Sequence, residues 1–197
     1  MKSTITKLLL FAVITVFAVS VNAQTQKGNA MIGSSISSLN VGLKSGSNTT
    51  FTLNPKAGIF IKDGLLVGMD ALFGIQHMGG TKANAVDYGI GGFGRYYVTD
   101  KNVEFVRHGK FFFEANLGFQ GQNVSKGGDK TNGLGFGFGP GFAYFINQNI
   151  ALETMVKYQG IVGFGDTAYQ NNLVWSLGFQ IYLPCKGTKN KVVSDFK

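Results

Sequence analysis

Alternating polar and apolar side chains, repeated in eight separate segments, are the feature that most constrains the fold of this chain. In the last segment, Leu173, Trp175 and Leu177 share one face, and Val174, Ser176 and Gly178 share the other. A period of two is the pattern of a strand, and its repetition is typical of transmembrane strands. The segments are 28–39, 50–61, 65–76, 86–98, 111–120, 134–144, 150–158 and 173–183.

These segments predict an all-β fold, a closed antiparallel transmembrane β-barrel of about eight strands. Each segment is close to the length of about 9–11 residues that a tilted strand needs to cross a bilayer. The number is even, as in single-chain bacterial barrels. Closure is required because an unpaired strand edge in lipid leaves backbone N–H and C=O groups without partners. After residue 24, no apolar run is long enough to span a bilayer as a helix.

The N-terminus has the pattern of an export signal. Lys2 and Lys7 precede an apolar run, Leu8 to Val19, and Val21-Asn22-Ala23 forms a cleavage site. The alternative, a transmembrane helix, needs about 20 apolar residues, more than this run provides. We therefore expect a signal peptide at 1–23, a barrel at 24–183 and a polar tail at 184–197.

Composition limits the class of protein further. The chain has 29 Gly, 18 Phe and 7 Tyr, and only 14% of its residues are charged. Closely packed strands with an aromatic exterior accommodate both the glycines and the aromatic residues. Loss of Lys2 and Lys7 lowers the net charge from +8 to +6, and no basic patch with interleaved aromatics indicates nucleic acid as a partner. The single cysteine, Cys185, excludes an intramolecular disulfide.

The connections between segments alternate in length. Residues 62–64 and 147–149 predict tight turns, which face the periplasm in such barrels. Longer links, which face outward, are predicted at 40–49, 77–85, 121–133 and 160–171. The link at 99–109 is long for a periplasmic turn.

Charged residues within the predicted strands all lie on the polar, glycine-containing face, which predicts an ion-pair network in the lumen. An eight-stranded barrel is just wide enough to be filled by side chains, and buried charges must be paired. We expect a layer of pairs that plugs the barrel near its periplasmic end, with Asp87 and Lys157 higher, in a second layer. A gated ion path through a switching salt bridge is the alternative. The six network residues are Lys56, Asp70, Arg95, Glu114, Glu153 and Lys157.

No catalytic or cofactor-binding pattern stands out. His77 is predicted at the outer end of the third strand and His108 in a periplasmic link, so the two histidines cannot cooperate. His77 has Thr81 and Asp87 near it in sequence, which is a weak basis for a triad. No Cys/His cluster has metal-ligand spacing, and the glycines of 133–141 lack the Lys-Ser/Thr of a phosphate loop. We expect no enzyme activity, metal or cofactor.

Several stretches resemble small outer-membrane barrels described as porin-like in the Bacteroidetes. They include Gly91-Gly92-Phe93-Gly94-Arg95-Tyr96-Tyr97 and Gly139-Pro140-Gly141-Phe142-Ala143-Tyr144-Phe145. The segments at 27–33 and 53–60 are similar as well. The resemblance implies an architecture like that of the outer-membrane protein A barrel and of outer-membrane protein X. One departure is the end of the chain, where a polar tail follows Tyr182-Leu183 instead of a terminal aromatic residue.

Three functions remain open for a barrel of the bacterial outer membrane. The first is a structural or adhesive role, with loops that contact surface polysaccharide or host molecules. The second is a narrow pore for small solutes, and the third is a lipid-modifying enzyme. A soluble lipid-binding barrel is the non-membrane alternative, and it would need the apolar face inside and the charged face outside.

Overall fold

The computed structural model describes residues 24–40, 49–78, 83–98, 108–125, 130–165 and 169–184. These residues form eight antiparallel strands, each paired with its neighbours in sequence, and the first pairs with the last to close a barrel. No helix among them is long and apolar enough to cross a membrane. The strands are β1 Ala30–Asn40, β2 Thr49–Lys62, β3 Leu65–Met78, β4 Ala83–Tyr97, β5 Gly109–Val124, β6 Lys130–Phe145, β7 Ile150–Gly165 and β8 Tyr169–Leu183.

The fold class predicted from the alternation is confirmed, and the two faces of the strands are as predicted. Outward side chains such as Phe119 and Leu173 are 74% and 75% exposed, whereas inward ones such as Arg95 and Glu114 are 1% and 0% exposed. Both predicted tight turns are present. Asp63-Gly64 joins β2 to β3, with Gly64 at φ 74°, a conformation that favours glycine, and residues 146–149 join β6 to β7.

The predicted strand lengths were wrong. Strands β2 to β8 have 14 to 16 residues, longer than the predicted segments, and they extend into the links expected at 77–85, 121–133 and 160–171. Pairing of β5 with β6, for example, continues to Asn123↔Lys130. The reason is physical, because only the lipid-facing part of a strand needs alternating polarity. Beyond the bilayer, polar residues continue the same hydrogen-bonded ladder.

Several expectations lie outside the described residues. These are the signal peptide at 1–23, most of the links at 40–49 and 99–109, Cys185 and nearly all of the C-terminal tail.

Candidate functional site in the barrel lumen

A buried group of charged side chains crosses the lumen, and Glu114 lies at its centre. The Glu114 Oε1 atom lies 2.9 Å from Lys56 Nζ and 2.8 Å from Lys157 Nζ, and its Oε2 atom lies 2.6 Å from Arg95 Nη2. Glu153 Oε1 lies 2.7 Å from Arg95 Nη1. We call these five residues the charge cluster. They come from β2, β4, β5 and β7, so the cluster joins opposite walls of the barrel.

The geometry of Arg95 explains why an arginine suits this position. Its Nε and Nη2 atoms both donate to Glu114 Oε2, while Nη1 donates to Glu153 Oε1. The guanidinium carbon lies 4.0 Å from the centroid of the Phe112 ring, within the range of a cation–π contact. A planar group with five donors can bridge two carboxylates and stack on a ring at once, whereas a lysine cannot.

Two tyrosine hydroxyls extend the cluster toward the periplasmic end. Tyr182 donates to Glu153 Oε1 at 2.9 Å, and Arg95 Nη1 donates to the Tyr97 oxygen at 2.9 Å. The two hydroxyl oxygens are 2.6 Å apart. Because the single proton of Tyr182 goes to Glu153, Tyr97 must be the donor in this contact. Sequence reasoning missed both tyrosines, although each lies on the inward face of its strand.

The structure brings together five of the six residues predicted for the network. Asp70 faces Lys56 in the register of β2 and β3, but Asp70 Oδ2 accepts a hydrogen bond from Asn116 Nδ2, at 3.4 Å. The expectation that Lys157 lies in a second layer with Asp87 was wrong. Lys157 bonds Glu114 in the charge cluster, because the stagger of the strands places Lys157 beside Gly139, which pairs with Glu114. Asp87 Oδ1 accepts from Gln122 at 2.8 Å.

Aromatic rings fill the lumen on the periplasmic side of the charge cluster. Neighbouring ring centroids are 5.1 to 5.8 Å apart in the pairs Phe60–Tyr97, Tyr97–Phe112 and Phe145–Tyr182. We call these five residues the aromatic floor, and each is at most 2% exposed. The sequence argument anticipated glycine and charge on this face and missed the rings.

The segment at 24–29 lies against the periplasmic mouth beneath this floor. The Thr25 carbonyl accepts from Gly64 N, and the Thr25 hydroxyl accepts from Lys110 Nζ at 2.7 Å. Gly28 N donates to the Phe60 carbonyl, and Phe60 N donates to the Asn29 carbonyl. The lumen is therefore closed in three successive levels, by charges, by rings and by this segment.

The other half of the lumen is open. A cavity of about 840 Å³ lies on the outward side of the charge cluster. Amide and hydroxyl side chains outnumber the apolar ones on its inner wall, which are Leu72, Ile161 and Val174, and Asp87 is the charged group among the lining residues described. We call this cavity the outer vestibule, and its polar wall includes Thr50, Thr52, Gln76, Gln120, Gln122 and Gln159.

His77 and Asp87 do not form a catalytic group, and Thr81, which is also near His77 in sequence, lies outside the described residues. His77 Nδ1 lies 2.7 Å from Asn84 Oδ1 on the outer surface, whereas Asp87 lies on the inward face. His108 lies at the opposite end of the barrel, where its carbonyl accepts from Phe145 N. Within the described part of the chain, no group of three or more His, Cys, Asp or Glu residues could hold a metal ion.

The exterior is apolar where the interior is charged. Ile75, Phe119 and Trp175 are 62%, 74% and 62% exposed, an arrangement that water disfavours and hydrocarbon favours. Trp175 donates its Nε1 hydrogen to Thr154 Oγ1 at 2.8 Å, which satisfies the indole within the surface. The soluble lipid-binding alternative requires the opposite polarity, so it is excluded.

Comparison with solved structures supports this architecture. Neisserial surface protein A has a TM-score of 0.54 and 20% sequence identity, over 78% of this chain and 94% of that one. The N-terminal β-barrel domain of Pseudomonas aeruginosa OprF has a TM-score of 0.52 and 12% identity, over 80% and 98%. The outer membrane protein OprG of the same organism has a TM-score of 0.51 and 12% identity, over 83% and 99%.

No protein-family model matches the chain, and no curated protein is similar to it in sequence. Identities of 20% and 12% show a shared fold. Together with the closed sheet, the apolar exterior and the buried charges, they make this chain a small transmembrane β-barrel of the bacterial outer-membrane type.

Proposed function

We propose that this barrel serves the outer membrane as a structural or surface-interaction protein whose lumen does not conduct solutes. The charge cluster is the observation that carries this proposal. A conducting path would have to separate Glu114 from Lys56, Arg95 and Lys157, all of which are buried. Breaking a buried ion pair by removing one partner typically costs about 3–5 kcal/mol. The aromatic floor and residues 24–29 block the same path.

Interaction through the outward links fits this architecture, because the strands that flank these links end on the same side of the barrel. We propose surface polysaccharide or host molecules as their partners, and outer-membrane lipid as the surroundings of the barrel. The resemblance to porin-like barrels of the Bacteroidetes supports the same assignment, although the proposed role is not that of a porin.

The proposed role is also non-enzymatic. His77 contacts Asn84 on the outer surface, and Asp87 lies on the other face of the sheet. A triad needs its members within hydrogen-bond reach of one another. Purified protein should therefore release no fatty acid from phospholipid or lipid A, and hydrolysis that disappears in His77→Ala would contradict this part of the proposal.

Conductance in planar bilayers tests the closed lumen. Protein that shows a folded-barrel mobility on SDS gels is added to the bilayer, and current is recorded at both polarities. We expect no steady channels for the wild type or for Asp87→Asn, which alters the vestibule and leaves the charge cluster intact. Large, steady channels in the wild type would overturn the proposal and favour the narrow pore.

A further inference from the structure

The seam between β1 and β8 is paired over only part of its length. Pairing of these two strands ends at Ile36↔Leu177, among the residues described. Beyond this point β1 continues with β2 to Asn40↔Thr50, and β8 continues with β7 to Val162↔Tyr169. A register shift in β1 between Ile36 and Ser38 occurs at the same level. Such a bulge bends its strand, so β1 turns away from β8 here.

The outer vestibule reaches this seam. Side chains that line a cavity inside a closed barrel should all point inward, because inward and outward residues alternate along each strand. Six residues at outward positions nevertheless line the vestibule. Two of them, Gly121 and Gly160, have no side chain, and the four that do belong to β1 or β8: Ile36, Leu173, Trp175 and Leu177. The cavity therefore continues between these two strands to the outer surface.

The opening lies within the apolar exterior. Leu173, Trp175 and Leu177 are 75%, 62% and 54% exposed on the surface that faces lipid. Backbone groups left unpaired at a strand edge are costly in hydrocarbon. A molecule with one polar and one apolar end fits this opening. Its polar end would form hydrogen bonds with the unpaired backbone groups, and its apolar end would lie in the lipid.

We propose that the outer vestibule binds a single-chain amphiphile with an uncharged, hydroxyl-rich head group, whose hydrocarbon chain leaves between β1 and β8. The inner wall offers amides and hydroxyls, which both donate and accept hydrogen bonds, as a sugar-like head requires. Asp87 disfavours an anionic head. The volume of about 840 Å³ lies within the usual range of ligand sites. Binding of this kind goes beyond the proposed function and needs no passage through the aromatic floor.

Trp175 provides a direct readout, because it is the single tryptophan of the chain and lines the opening. The probe is an alkyl glucoside brominated on its chain, titrated against the protein in phosphatidylcholine nanodiscs. We expect saturable quenching of Trp175 fluorescence. A brominated alkyl sulfate of equal chain length should give only the linear quenching of a molecule that partitions into lipid.

Substitutions in the vestibule locate the head group. Gln120→Leu and Gln159→Leu should each weaken the saturable component by about tenfold, while Gln148→Leu, in the exposed periplasmic turn, leaves it unchanged. Asp87→Lys should make the sulfate bind saturably. Retention of the barrel fold is checked for each variant by its gel mobility before boiling.

Two results would overturn the proposal. The first is purely linear quenching of the wild type by the glucoside, or equal saturable quenching by glucoside and sulfate. The second is saturable quenching that neither vestibule variant changes. The comparison of the two probes needs only the wild-type protein, so it decides the matter even if a variant does not fold.

Discussion

Glu114 is the residue on which the interior depends most, because one buried carboxylate accepts from three cationic side chains. Glu114→Gln keeps the shape of the side chain and removes its negative charge. The three buried cations are then left with Glu153 as the carboxylate of the charge cluster. We expect the free energy of unfolding to fall by about 3–5 kcal/mol, measured by urea titration in lipid vesicles. Asp87→Asn is the control, with an expected loss below about 1 kcal/mol, since the partner of Asp87 among the described residues is the neutral side chain of Gln122. Equal losses would contradict the central place of Glu114.

Substitution of Tyr182 tests the hydroxyl chain, the hydrogen bonds that link the hydroxyl groups of Tyr97 and Tyr182 to Glu153. Tyr182→Phe removes the donor to Glu153 and the acceptor for Tyr97. A buried polar group left without its partner costs about 1–3 kcal/mol, and we expect a loss of this size in the same urea titration. Tyr144→Phe, on the outward face and 51% exposed, should have little effect. A loss at Tyr182 no larger than that at Tyr144 would contradict a stabilising role for the hydroxyl chain.

At the scale of the strands, glycine sets how closely neighbouring elements approach. A Cβ atom at Gly68 of β3 would lie closer than 3.0 Å to the Ala57 carbonyl, Gly58 Cα and the Phe93 ring, whereas one at Gly94 of β4 would meet nothing within 4 Å. Gly68→Ala should therefore lower the free energy of unfolding by about 1–3 kcal/mol. Gly94→Ala is the matched control and should be nearly neutral. The reverse order would show that the approach of β2 to β3 is looser than described.

The seam makes a prediction about exchange of backbone hydrogens. β8 is paired with β1 from Leu183 to Leu177, and this pairing is not present at residues 172–176 of β8. Backbone amides of 172–176 that point toward β1 therefore lack a hydrogen-bond partner on that strand. They should exchange faster than amides of 134–138 in β6, which is paired on both sides. Hydrogen–deuterium exchange in nanodiscs measures the difference. Equal protection of the two segments would mean that the seam is closed along its full height.

The strand scale also explains which predictions failed. Alternation and the positions of the charges identified the inward face of strands β2 to β8, because side chains point to opposite faces from one residue to the next. The ends of the strands could not be predicted, since Gln122 and Asn123 continue a ladder that no longer faces lipid. The depth of Lys157 in the lumen was predicted wrongly. Because the strands are tilted and staggered, the distance of a residue from a turn along the chain does not give its depth in the barrel. The inward rings Phe60, Phe112 and Phe145 could have been found by counting large side chains on that face.

At the scale of the whole molecule, the barrel reverses the usual polarity of a soluble protein. Charged side chains such as Arg95 and Glu114 are buried, and rings such as Phe119 are exposed. This arrangement is stable only in a bilayer or detergent, where the closed ladder leaves few backbone groups unpaired. The central claim is therefore that the folded chain is a closed, lipid-embedded barrel of the outer membrane.

Fractionation followed by gel electrophoresis tests this claim most directly. Cells that express the full chain are separated into periplasm and outer membrane, and each fraction is run on SDS gels with and without boiling. A closed barrel resists SDS until it is heated, so we predict that the protein is in the outer-membrane fraction and that its mobility changes on boiling. Protein in the soluble periplasm with the same mobility in both lanes would contradict the account.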